Sequence, residues 1–148
     1  DDLKRLGITY KKSLNEQWPN VPLEYSRDFI RGIVDGDGSI HFDKRGCPTI
    51  SLCGGEETVG HVREHFIYKL GVYSTLIKQS YSQKCKNYLY QIAYRSNSAK
   101  KVVGYLYDGA ALYLDRKFKL ARRCAETKIR MKNNSHRINM LLQSHTNF

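Results

Sequence analysis

The chain has 148 residues, enough for one domain with a real core, and a formal net charge of +11. No apolar run is long enough to cross a membrane as a helix, so the composition describes a basic globular domain whose first candidate partner is a polyanion, nucleic acid foremost. The charge is uneven: from Ser96 onward eleven Lys or Arg face three acids, and this last stretch carries +8 of the total.

Asp1–Glu24 is polar and broken by Trp18-Pro19 and Pro22. It reads as an arm or linker, either the tail of a preceding module or an extension that packs Trp18 on the core. The first residue is Asp1 and not Met, consistent with a piece of a longer protein. A domain is expected over residues 25–128, followed by a tail, 129–148, that is a short helix or disordered and holds one apolar patch, Ile138–Leu142. Cys47, Cys53, Cys85 and Cys124 form no Cys-x-x-Cys pair and have no closely spaced His partner, which speaks against zinc. Free thiols in a reducing, intracellular compartment are expected, and no secretion signal is visible.

Tyr25–Val34 reads as an amphipathic helix with Ser26 as its cap. It runs into Asp35-Gly36-Asp37-Gly38 and then into the alternating Ser39-Ile40-His41-Phe42. Two carboxylates at the C-terminal end of a helix sit where the helix dipole makes an anion least welcome. Something must offset them, and a divalent cation on Asp37 is the simplest candidate. Gly32 and Gly36, four apart, share one helix face, and small residues at that spacing let a second backbone come close.

Ser39–Arg45 and Pro48–Gly54 alternate as two strands, with Lys44–Cys47 as the turn. Glu56–Leu70 has helical periodicity and stops at Gly71. Ser74–Tyr81 and Asn87–Arg95 make a second hairpin. A helix starting at Asn97 or Ser98 carries the apolar stripe Val102, Val103, Leu106 and Tyr107. Leu112–Lys128 is a strongly basic helix. Two hairpins joined by a helix predict an α+β domain: a four-stranded antiparallel sheet with helices on one face and a polar, basic face left open, a shape that can lie in a DNA major groove.

At Ile30-Arg31-Gly32-Ile33-Val34-Asp35-Gly36-Asp37-Gly38 the chain resembles the nine-residue signature of the LAGLIDADG homing endonucleases. The order of elements resembles that family from about Tyr25 to Ala121. The departures are Ile30 for the first Leu, Arg31 for the first Ala and Gly36 for the second Ala. The resemblance implies the αββαββα homing-endonuclease fold with a curved, saddle-shaped sheet. It also implies an intron-encoded, mobile-element origin and sequence-specific, Mg²⁺-dependent cleavage of double-stranded DNA, with Ca²⁺ or Mn²⁺ able to replace Mg²⁺ for binding. Family members with one signature are homodimers, and the final Asp of the signature holds the metal. Here that residue is Asp37, with the Gly36 carbonyl as a second oxygen. Pairing two such helices through Phe29, Gly32, Ile33 and Gly36 brings two Asp37 side chains together, one site per DNA strand, and makes the target palindromic or nearly so.

By the same resemblance a Lys near the start of the late basic helix reaches the site and polarises water or phosphate. Lys117 is its match and Arg116 its rival, the latter also a candidate DNA contact. Glu56, opening the second helix, stands where relatives place a polar residue near the attacking water. The outward strand residues His41, Asp43, Arg45, Thr49, Ser51, Lys78, Ser80, Gln91 and Arg95 are the expected DNA contacts; Arg suits guanine and Gln suits adenine. Arg31 reads as a solvated or DNA-facing charge, and Asp35 as a stabiliser of backbone at a helix junction. Tyr81, Tyr88, Tyr90 and Tyr94 read as sheet and core packing. The alternative function is a non-cleaving nucleic-acid binder on the same scaffold, an intron RNA maturase or a transcription regulator.

Overall fold

Periodicity of 3.6 in four segments and of 2 in four others builds the domain. A computed structural model describes residues 18–74, 76–82 and 87–128, the side chains of Ser80, Ser82 and Asn87 aside. The expectations for the arm before Trp18, for the tail from residue 129 and for Cys85 lie outside the described residues. After a short turn of 3₁₀-helix, Leu23–Tyr25, come α1 (Ser26–Asp37), β1 (Gly38–Phe42), β2 (Pro48–Gly54) and α2 (Glu56–Leu70). They are followed by β3 (Ile77–Ser82), β4 (Asn87–Arg95), α3 (Ser96–Tyr107) and α4 (Asp115–Glu126). The strands form one antiparallel sheet in the order β1-β2-β4-β3. This is an α+β domain with the expected element order.

Ile40, Ile50, Leu52, Ile92 and Tyr94 line one face of the sheet and are buried against Ile30 and Val34 of α1, Val59, Val62 and Phe66 of α2, and Val102, Val103 and Leu106 of α3. Burial of such side chains stabilises the fold by roughly 1.5–3 kcal/mol each. Among the described residues the opposite face carries no helix layer, and His41, Cys53 and Arg95 are exposed there.

The join between α1 and β1 positions the candidate site. The chain passes from helix to strand with no loop, because the Gly38 N–H closes on the Val34 carbonyl. Only glycine fits: a Cβ on Gly38 would stand 2.6 Å from the Val34 oxygen and 2.9 Å from its Cγ1. At the other end of α1, Trp18 stacks on His61 with ring centroids 4.9 Å apart and meets Phe29 edge-on at 5.2 Å. Its backbone N–H donates to Glu57 Oε1 at 2.8 Å. The end of the arm is thus docked on α1 and α2.

Several boundaries differ from the sequence reading. Tyr25, not Ser26, holds the cap position of α1, and the Ser26 hydroxyl instead donates to the Pro22 carbonyl at 3.3 Å. β1 stops at Phe42 because Asp43 folds the turn: its Oδ1 accepts from the N–H groups of Arg45 at 2.9 Å and Cys47 at 2.8 Å. β3 starts at Ile77, while the Ser74 hydroxyl takes the place of a strand backbone, bonding both the N–H and the C=O of Ala93 at 3.0 Å. α3 starts at Ser96 and α4 only at Asp115. Among the described residues no helix is long and apolar enough to cross a membrane.

Candidate functional site

The C-terminal end of α1 is where helix and sheet chemistry meet. Asp35 is buried, and both its oxygens are used. The Tyr107 hydroxyl donates to Oδ1 at 2.6 Å, and the Leu114 N–H donates to Oδ2 at 2.9 Å. Burial and then this donation push the Tyr107 hydroxyl well above its ordinary pKa. Asp35 therefore ties α1 to α3 and to the start of α4, the structural role expected of it; its Tyr107 partner was read only as core stripe.

Lys117 comes in from α4 on the buried stripe Lys117, Ala121 and Cys124. It is only 3% exposed, and its ammonium donates to the carbonyls of Val34, at 3.3 Å, and Gly38. A cation at the carbonyl end of a helix is the favourable pole of the dipole. The negative end of α1 is thus offset in part from within the chain, by a group other than the divalent cation that the sequence offered as the simplest candidate. Burial lowers the Lys117 pKa, helped by the Arg116 charge, while Asp35 and Asp37 pull the other way. Lys117 does stand beside Asp37, as expected, but with its donors turned to backbone.

Asp37 and Gly36 differ from these neighbours. Both are exposed, and among the described residues nothing donates to the Asp37 carboxylate. The last carbonyls of a helix have no partner inside it, so the Gly36 oxygen is also open. One carboxylate and one carbonyl fit a hard cation that keeps most of its waters, as Mg²⁺ does. No group of three or more His, Cys, Asp or Glu able to hold a metal exists among the described residues. Asp37 and the Gly36 carbonyl are thus a sparse donor set.

Gly38 pairs with Leu52, so β1 starts where β2 is ending, and Asp37 and Glu56 are brought to the same end of the sheet. Glu56 lies exposed in the first turn of α2 and takes a hydrogen bond from the Tyr90 hydroxyl, which raises the Tyr90 pKa.

Gly32 and Gly36 lie open on α1: a Cβ built on either would meet nothing within 4 Å. Ile33 is half-buried against the core, and Phe29, also half-buried, meets the Trp18 ring edge-on. Beside Gly32 a cleft of about 720 Å³ runs between α1 and the 109–114 segment, lined by Arg27, Asp28, Arg31 and Leu112 among others. Asp37 is not among the residues that line this cleft.

Arg31 corrects another expectation. It is 5% exposed. Its Nε donates to the Leu112 carbonyl at 2.8 Å, and its Nη1 to Asp28 Oδ1 at 2.7 Å and to the Leu106 carbonyl at 3.1 Å. It is a brace for the α3–α4 connection, not a DNA-facing charge.

The open sheet face is ordered in rows by the register. Ser39, Ser51 and Ala93 form a middle row of small residues; His41, Thr49 and Arg95 lie on one side, Cys53, Gln91 and Ile77 on the other. His41, Arg95 and the turn residue Arg45 are exposed, as expected of DNA contacts, and so is Arg116 on α4. Four expected contacts are placed otherwise. Thr49 and Ser51 are 7% and 9% exposed, hemmed in on the central strand. Asp43 is taken up by its turn; donation from Cys47 N–H is the main cause that lowers its pKa. Lys78 pairs with Tyr90 on the helix-side face, its ammonium 3.8 Å from the Tyr88 ring centroid. Leu76, not Ile77, packs on the core, which reverses the alternation assumed for this strand. Ser80 sits where the β3–β4 register shifts between Lys78 and Tyr81, and its side chain is outside what is described. The residue missed on this face is Gln79, whose Nε2 donates to Gln91 Oε1 at 3.0 Å.

Comparison with protein-family models, with curated proteins and with solved structures finds no match in any of the three.

Proposed function

We propose that this chain is a Mg²⁺-dependent double-strand DNA endonuclease of the LAGLIDADG homing type, acting as a homodimer paired along α1. One observation carries the reading: Asp37 presents an exposed, unpartnered carboxylate at the helix end, while the other acid of the motif is fully used in holding the fold. In this reading the sheet is the curved saddle of the homing-endonuclease fold, laid with its open face in the major groove. Asp37 and the Gly36 carbonyl hold the metal. When bound there, Mg²⁺ supplies charge neutralisation at the phosphate and a water of lowered pKa. Lys117 adds a positive charge beside Asp37, and Glu56 at the same sheet end orients the attacking water. Arg45, His41, Arg95 and Arg116 hold the DNA.

Two copies meeting at Gly32 and Gly36 bring the two Asp37 side chains together, and two-fold symmetry makes the target palindromic or nearly so. Affinity then falls steeply with salt, since each phosphate contact releases counterions.

One observation favours the non-cleaving binder on the same scaffold: the Lys117 ammonium is occupied by two carbonyls. The test for both is incubation with Mg²⁺ and DNA carrying a randomised site library, followed by sequencing of any ends. Paired ends at a recurrent near-palindrome support the nuclease. DNA retained in a gel with no ends formed supports the binder. No retention at any salt overturns both.

A further inference from the structure

An exposed isoleucine and a bonded glutamine pair sit together on the open face of the sheet. Ile77 lies directly opposite Gln91 in the β3–β4 register, and it is 48% exposed although strongly apolar. Gln79 reaches Gln91 diagonally from the same strand, and their amides are joined at 3.0 Å. The strand register shifts right after Lys78, and such bulges re-aim side chains.

In the pair as it stands, Gln79 is the donor and Gln91 the acceptor. Oε1 faces the Gln79 donor and keeps one lone pair, and Nε2 keeps both hydrogens. That leaves one acceptor and one donor side by side on a side chain held in place. In the major groove adenine offers the complement: N6–H as donor and N7 as acceptor. The base paired to adenine is thymine, whose methyl group is the one apolar feature of that edge. Opposed residues on neighbouring strands have Cβ atoms about 5 Å apart, close enough for two side chains to reach one base pair.

We propose that Gln91 and Ile77 together read one A·T pair in each half-site, Gln91 the adenine and Ile77 the thymine methyl, with Gln79 as the residue that positions the Gln91 amide. This rests on the DNA-binding reading above. The pair also gives a role to an isoleucine left 48% exposed and outside the core cluster.

The test is selection of bound DNA from a randomised site library in Ca²⁺, where cleavage does not remove product. Wild type should prefer adenine at one position of each half-site by about tenfold to a hundredfold. Gln91→Ala should flatten that position alone and leave the salt dependence unchanged. Gln79→Glu removes the donor, so the Gln91 amide must turn its Nε2 toward the new carboxylate; adenine preference at that position should be lost although Gln91 is intact. Replacing the paired thymine by deoxyuridine should weaken wild-type binding about fourfold, the worth of one buried methyl. The same swap should have no effect on Ile77→Ala. A wild-type protein that selects a site, yet keeps all its preferences in Gln91→Ala, overturns this inference and leaves the endonuclease reading standing. So does a uniform loss of affinity at every position. A wild-type protein that binds no DNA overturns both.

Discussion

The two sides of α1 carry similar residues and use them in opposite ways. On the inner side Arg31 and Asp35 are buried, Lys117 caps the helix end, and each charged group has at least two partners. On the outer side Gly32, Gly36 and Asp37 are exposed, a Cβ on either glycine would meet nothing within 4 Å, and among the described residues nothing donates to the Asp37 carboxylate. A buried charge without partners costs several kcal/mol, so the inner side had to be satisfied for the domain to fold. The outer side is under no such pressure, and what stands there is unspent: space for a second backbone and one carboxylate. In this short motif, then, partners and not residue type separate the positions that hold the fold from those left open.

The sharpest way to break this comparison is one substitution made at two positions. Asp37→Asn should leave the melting temperature and DNA affinity in Ca²⁺ unchanged, while cleavage in Mg²⁺ falls by about a thousandfold or more. Asp35→Asn should do the reverse. It should cost about 2 kcal/mol of stability in a urea titration, because one buried oxygen becomes a donor facing the Leu114 N–H. Cleavage per folded molecule should be kept. Asp37→Asn cutting at the wild-type rate would return the motif to a helix-ending turn.

Lys117→Met belongs to both sides. It leaves the Val34 and Gly38 carbonyls without their cation, with a loss of about 2 kcal/mol. It also removes the positive charge beside Asp37, and cleavage should fall by about a hundredfold at a temperature where the variant is folded. Loss of stability with full cleavage would make Lys117 a cap alone.

Gly32→Leu tests the outer face. A Cβ at Gly32 meets nothing within 4 Å, so the exchange of Gly for a strong helix former should stabilise the monomer by up to about 1 kcal/mol. The same side chain should hold two α1 helices apart and abolish the dimer in sedimentation. A wild-type monomer at micromolar concentration, with and without DNA, would remove the paired-helix arrangement.

The smallest effect is alkaline. Burial pushes the Cys124 thiol up to about 11 from 9.0, Tyr94 up to about 12, and Tyr107 higher still. Above about pH 9 the unfolded chain loses these protons while the folded one keeps them. The unfolded state then binds fewer protons, so stability falls as pH rises. Lys117, with its pKa lowered, contributes in the opposite sense below 10.5, one group against several. Melting temperature should drop from pH 9 to 11, and Cys124→Ala should flatten that slope.

The element order, the α+β class and the core stripes were legible in the sequence, because helix and strand periods are local and burial enforces them. The contrast between an apolar and a polar sheet face could be read for the same reason, whereas the loopless join at Gly38 could not, since the reading ended the helix at Val34 and began the strand at Ser39. Partners could not. Arg31 finds the carbonyls of Leu106 and Leu112, Asp35 finds Tyr107, and Lys117 finds the end of α1, each over 70 residues away in the chain. A lysine inside a basic helix looks like a surface charge until packing turns its stripe inward. The face of β3 was misjudged because Leu76 and Ile77 are adjacent and both apolar, and only pairing with β4 shows which one the core takes. The sequence alone singled out Asp37 as the candidate metal ligand. Tertiary packing decided that this carboxylate, and not Asp35 beside it, was left without a partner.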